Sequence, residues 1–351
     1  MLSKAKIADD GQGIAAGAGA AGGIAAGGAG AGEEGSPLGL WLKRVDWRNY
    51  VVYIFFAVVV IFFAITIGDK GFLTVTNLFN ITRNTAQLAV IAVALTFVIS
   101  AGELDLSVGS TAALSALVGG LAMAAGWGPI GGLVAGLAAG LAVGLINSFF
   151  VVLIGIPSFL VTLGMLQFVH GLAMRVTYTN PVPIAEDGFN TFFGKGWFLG
   201  LPSLLIWSVL VVAIGHVVLR YTTFGRQVLA TGGNRVAAAY SGIRTGRVKF
   251  YCFLLSGAAA ALAGLLYTGM MSTARYNFGE GDELDAIAAV ILGGTSLFGG
   301  RGTVIGTFVG ALLIGTINNG LIIMGLDVSE QYMVAGAIII LAVAFGKRPV
   351  R

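Results

Sequence analysis

Two short acidic motifs stand beside long apolar runs, Glu103-Leu-Asp105 and Glu283-Leu-Asp285. An ionisable side chain next to lipid is expensive to bury, so it faces protein, water or a function. The functional reading is a gate or helix-terminus contact beside a solute path, with Ser107 on the same stretch. The structural reading is that Asp105, in Asp-Leu-Ser-Val, caps the helix that follows. The two are compatible, and Glu283 and Asp285 invite the same pair. Gln87, Asn147, Asn318 and Asn319 are neutral polar groups inside apolar runs. They could bond sugar hydroxyls or tie helices together, and residue type alone does not choose. His170 and His216 have no partner at metal-ligand spacing. Phosphate loops, nucleophile elbows and metal-binding His/Glu helices are absent, so nothing points to catalysis or to ATP binding by this chain.

Residues of these types must be positioned by membrane helices. Of 351 residues, 57% are hydrophobic and only 10% charged, against about 25% charged in soluble domains. With apolar runs recurring at spanning length, this gives an all-α polytopic membrane protein rather than a large soluble core or an alternating β-barrel. The lone Cys252 excludes an intramolecular disulfide and reads as a core residue. The net charge of +4 gathers before the first run, in a central loop and at the C-terminus. That distribution carries orientation, so nucleic acid is not an expected partner.

Residues 1–45 are Gly/Ala-rich and expected to form a disordered tail, not a cleaved signal peptide. Ten spans are then expected: 50–67, 86–101, 106–125, 130–153, 159–174, 203–219, 250–270, a shorter 286–298, 303–324 and 332–345. Residues 68–83, 176–202 and 275–285 read as external connections, and both termini as cytoplasmic. The stretch from Arg220 to Lys249 holds six basic residues and no acid, which marks a cytoplasmic loop. Its pattern predicts short helices over 223–230 and 235–240. Gly232-Gly233 is expected to supply a positive-φ turn, with Asn234 capping the second helix.

The chain also repeats itself. Each Glu-Leu-Asp is followed by a Gly-x-Ile-Asn-like segment, at Gly144–Asn147 and Gly315–Asn318. The first acidic motif is reached moving inward and the second moving outward. Two halves, about 84–175 and 249–346 within a permease domain of 46–351, are thus expected as an inverted repeat, as in transporters. Glycines at 132, 136, 140 and 144, and at 306, 310 and 315, read as packing stripes with no binding role.

Three stretches carry a family resemblance. Ala101-Gly-Glu-Leu-Asp-Leu-Ser-Val-Gly-Ser110, the segment Ala230–Ile243, and Glu283–Ser296 with Gly299-Gly-Arg-Gly-Thr303 resemble motifs of ribose-type ABC importer permeases, over roughly residues 50–346. Glu103 departs from that pattern, adding a charge where the family commonly has Gly-Ile. The resemblance implies a type II importer-like permease in a prokaryotic inner membrane, in contact with membrane lipids. It implies three partners: a second permease copy, an extracytoplasmic solute-binding protein and a separate ATPase carrying ATP and magnesium. This chain itself would need no cofactor. A monosaccharide or polyol would be the solute. On the loop, Gly225, Arg226, Gly232, Gly233, Asn234, Ala237, Ala238 and Gly242 would meet the ATPase. Gln87, Glu103, Asp105, Ser107, Asn147, Glu283, Asp285 and Asn318 are the path candidates. An ion-coupled secondary transporter, and a membrane sensor using the basic loop, are the competing classes.

Overall fold

A computed structural model describes residues 51–345. The Gly/Ala-rich segment 1–45, the basic residues before the first span, and Lys347, Arg348 and Arg351 lie outside them. The described chain is helical: α1 (Val51–Ile67), α2 (Val75–Ser100), α3 (Val108–Ala122), α4 (Gly128–Ser148), α5 (Ser158–Thr177), α6 (Ser203–Tyr221), α7 (Thr223–Gly233), α8 (Arg235–Tyr240), α9 (Thr245–Met271), α10 (Asp282–Leu292), α11 (Val304–Met324) and α12 (Val328–Phe345). Extended structure among the described residues is confined to two-residue bridges, one of which joins Val182–Pro183 to Thr273–Ala274.

Seven helical stretches among the described residues are long and apolar enough to cross a membrane. One of them, Val108–Ile154, is a hairpin. Gly126 and Gly128 turn the chain at positive φ, and α4 then packs back along α3. Two boundaries differ from expectation. The helix expected from residue 86 begins at Val75, where Thr74 accepts a hydrogen bond from the Asn77 N–H. Its first turns look external by hydropathy because they are polar, yet Asn77 is buried and exchanges hydrogen bonds with Asn319 at 3.0 and 3.1 Å. The short span expected over 286–298 ends at Leu292. Beyond it Gly294, Gly299 and Gly300 hold positive φ, which no regular helix accommodates.

α2 is the central post, buried along most of its length and packed by α6, α9, α10 and α11. The glycine stripes make close crossings possible. A side chain on Gly136 would meet the Ser115 carbonyl of α3, and one on Gly140 or Gly144 would meet backbone of α9. In the second half, Gly310 and Gly306 likewise sit on backbone at Ala289 and Gly293. Without water to squeeze out between lipid-facing helices, such backbone contact is what makes packing dense. Ser100 and Gly102, which precede the first acidic motif, touch Gly232, Gly299 and Gly300. The 273–281 connection, which precedes the second, pairs with residues 182–183 beyond the other end of α9. The two acidic motifs enter from opposite ends of the bundle, the arrangement of an inverted repeat.

Candidate translocation site

The chain leaves α2 at Ala101, turns through Gly102 at positive φ, and runs without helical structure to Ser107. Two polar side chains of α5 steady it. Ser158 Oγ accepts from the Leu104 N–H at 3.1 Å, and Thr162 Oγ1 donates to the Leu104 carbonyl at 3.4 Å. α3 thus starts within the bundle. Its entry lies beside Ser256, eleven residues along α9, or roughly 16 Å from that helix's end at ~1.5 Å per residue.

At this start Asp105 is 2% exposed. Its Oδ1 accepts from the Ser107 N–H at 3.0 Å and the Ser107 hydroxyl at 2.7 Å, and its Oδ2 accepts from the Ser256 hydroxyl at 2.7 Å. Asn147 Nδ2 of α4 donates to Ser107 Oγ at 2.8 Å, while its Oδ1 has no partner. The carboxylate therefore closes a turn ahead of the helix. It does not cap the helix as expected, since Ser107 is the residue at the cap position and makes no side-chain capping bond. Nor does Asp105 sit at a span end. Four polar groups from three segments form a buried, acid-centred network.

The second acidic motif opens α10, whose first turn holds Asp282, Glu283 and Asp285. Acids there complement the positive end of a helix, and the Tyr267 hydroxyl donates to Asp282 at 2.8 Å. The connection leading into α10 inserts Gly279 against Gly109 of α3, where the Glu283 carboxylate also lies. The broken starts of α3 and α10 meet backbone to backbone.

The remaining candidates are placed as follows. Glu103 pairs with Lys249 of α9, each side chain 12% exposed. The basic stretch lacks an acid in sequence and gains one in space. Gln87 is fully buried on α2; its Nε2 donates to Met270 Sδ at 3.5 Å and its Oε1 is unpartnered. Asn318 is half-buried on α11, and its neighbour Asn319 makes the interhelical bonds. Ser256 escaped the sequence reading because a serine in an apolar run resembles many others. The signal that could have found it is its position on α9 opposite Asp105.

At the end of the bundle near Gly102, α7 and α8 form a knuckle. Thr222 Oγ1 accepts from the Gly225 N–H and Asn234 Oδ1 from the Ala237 N–H at 3.0 Å, capping the two helices. The turn differs from expectation. Gly232 and Gly233 are helical, and the chain bends at Asn234 with φ −154° and ψ 102°. Gly232 is needed for proximity: a Cβ there would strike the Ser100 carbonyl and the Gly300 nitrogen. Arg226, Gly233, Asn234, Ala237 and Gly242 are exposed, whereas Gly225 and Ala238 are buried.

The family model described as "Branched-chain amino acid transport system / permease component" matches residues 77–343, which takes in the network, the broken helices and the knuckle. The chain belongs to this permease family. The ribose import permease of Bacillus subtilis (strain 168) is 42% identical over 298 residues, covering 84% of this chain and 92% of the relative. The L-arabinose ABC transporter permease of Azospirillum brasilense is 36% identical over 300 residues, covering 85% and 87%. The D-allose transport system permease of Escherichia coli (strain K12) is 35% identical over 305 residues, covering 86% and 92%. No solved structure matches the permease. The permease is a multi-pass membrane subunit of an ABC importer.

Proposed function

We propose that the permease moves a monosaccharide or polyol into the cytoplasm by alternating access, driven by a separate ATPase that carries ATP and magnesium. The observation that carries this reading is the meeting of two broken helix starts, Gly109 on Gly279, over the buried Asp105–Ser107–Asn147–Ser256 network. Broken helices converging between inverted halves are where transporters handle solute. The network offers hydroxyl, amide and carboxylate groups, which suit sugar hydroxyls. No arginine or lysine among the described residues bonds this network, so the α-carboxylate of an amino acid would lack a counter-charge there, although the family's description mentions amino acids. Relatives named for ribose, L-arabinose and D-allose agree with a sugar.

The path is completed by a second copy of the permease. α5 supports this, with Gly164 and Gly171 open to the outside and exposed Gln167 between them near the helix midpoint. An amide there favours protein or water over lipid. The knuckle meets the ATPase in the cytoplasm, with the termini on the same side, and an extracytoplasmic binding protein delivers solute at the opposite face of the inner membrane. Reconstituted with its ATPase and binding protein, the permease is expected to take up labelled sugar only with ATP inside. Uptake that survives ATP depletion under an ion gradient, without the binding protein, would support a secondary transporter and sink this proposal.

A further inference from the structure

A cavity of about 320 Å³ opens beside the knuckle, between the first turn of α7 and the N-terminal turns of α9. Arg244 and Arg247 line it, and both are exposed. The only ion pair among the described residues is Glu103–Lys249, so both guanidinium groups stand without an acid. No acid lines the cavity either. Its apolar side is formed by Val248, Tyr251 and Phe224, with the two rings edge to face at 6.4 Å between centroids. α9 begins here without a side-chain cap, so the positive end of a 27-residue helix also points at this place.

The order of residues along α9 identifies what fits. Arg244, Arg247, Tyr251 and Leu255 recur at three- and four-residue intervals and share one face. From the helix end inward that face changes from cationic to aromatic to apolar, and Tyr251 and Leu255 are both exposed. The same gradient runs through one lipid leaflet, from phosphate to interface to acyl chain. A soluble anion would need only the arginines. A protein side chain would not need the apolar continuation towards Leu255.

We propose that this cavity is a binding site for the phosphate headgroup of an anionic phospholipid, with the guanidinium groups on the phosphate and the acyl chains along Tyr251 and Leu255. The test reconstitutes the full-length permease in phosphatidylcholine vesicles. Electron paramagnetic resonance then compares the motionally restricted fractions of spin-labelled phosphatidylglycerol and spin-labelled phosphatidylcholine. The wild type is expected to prefer phosphatidylglycerol, and Arg244→Gln with Arg247→Gln to lose that preference by about fivefold per arginine. Arg220→Gln with Arg301→Gln, which removes two exposed charges at the same end outside the cavity, is expected to retain it. Equal losses in both pairs would reduce the effect to general surface charge and overturn the site. Displacement of the lipid signal by millimolar inorganic phosphate would assign the cavity to a free anion instead. An unchanged preference in the glutamine pair, with loss of the co-purifying ATPase, would make the cavity part of a protein interface and end the proposal. If the glutamine pair yields no folded protein, Tyr251→Ala decides: it must shorten phosphatidylglycerol retention, and unchanged retention overturns the assignment.

Discussion

The Asp105 carboxylate is the side chain on which most depends, because it takes three donors and touches no cation. Asn at this position keeps an acceptor for the Ser107 N–H. Asp105→Asn is therefore expected to assemble with near wild-type thermal stability while sugar uptake falls at least tenfold. Leu at the same position strands three buried donors, and its unfolding free energy should drop by about 1–3 kcal/mol for each donor that finds no other acceptor. Should Asp105→Asn transport normally, the network serves only to hold α3. Glu103 and Lys249 form a largely covered pair linking the segment before α3 to α9. Removing either charge should destabilise by about 1–3 kcal/mol, between the values for exposed and buried pairs. Glu103→Gln with Lys249→Gln should recover part of that loss in a double-mutant cycle of thermal unfolding. Additive losses would mean that the two charges do not interact.

Among the elements, α7 separates two neighbouring glycines by what surrounds them. A Cβ on Gly232 has no room against Ser100 and Gly300, whereas one on Gly233 is in ordinary contact with Gly300. Gly232→Val should fail to accumulate as folded protein in membranes. Gly233→Val should fold and insert, yet lose solute-stimulated hydrolysis by the associated ATPase. Stimulation that survives in Gly233→Val moves the docking contact elsewhere on the knuckle. α12 opens with a reciprocal cap: Asp327 Oδ1 accepts from the Glu330 N–H at 3.0 Å, and Glu330 Oε2 accepts from the Asp327 N–H at 3.0 Å. The Ser329 hydroxyl and the Glu330 N–H hold the Asp327 carboxyl below its ordinary value. The cap's contribution is therefore complete above the ordinary value of ~3.9 and fades as pH falls through the lower folded value. The protection of the amides at the start of α12, taken relative to free-peptide exchange at the same pH, should be steady from neutral pH to about pH 5 and fall only in stronger acid. Asp327→Ala should show low protection there at every pH.

For the whole molecule, hydropathy and charge made the helical class legible, and the repeated acidic motifs drew attention to the two places where short non-helical stretches lead into α3 and α10. What stayed hidden was anything set by proximity. Residues 75–83 look external because they are polar, and only the Asn77–Asn319 contact explains the burial of Asn77 among them. Gly232 and Gly233 invite a turn, and only the approach of Ser100 and Gly300 shows that one of them is a contact point. The place of Asp105 was legible as unusual chemistry, but its depth was not, because the non-helical stretch from Gly102 to Ser107 carries it away from the end of α2. One joint has a consequence for biosynthesis. The Ser100 carbonyl accepts from the Gly300 N–H at 2.9 Å, so its donor is translated about 200 residues later. At ~5–20 residues per second, the first half waits on the order of 10–40 s in the bilayer with that end unsealed. The newborn chain is thus most vulnerable to membrane proteases until Gly300 emerges. A nascent chain arrested before Gly300 should be degraded faster than one arrested after Met324.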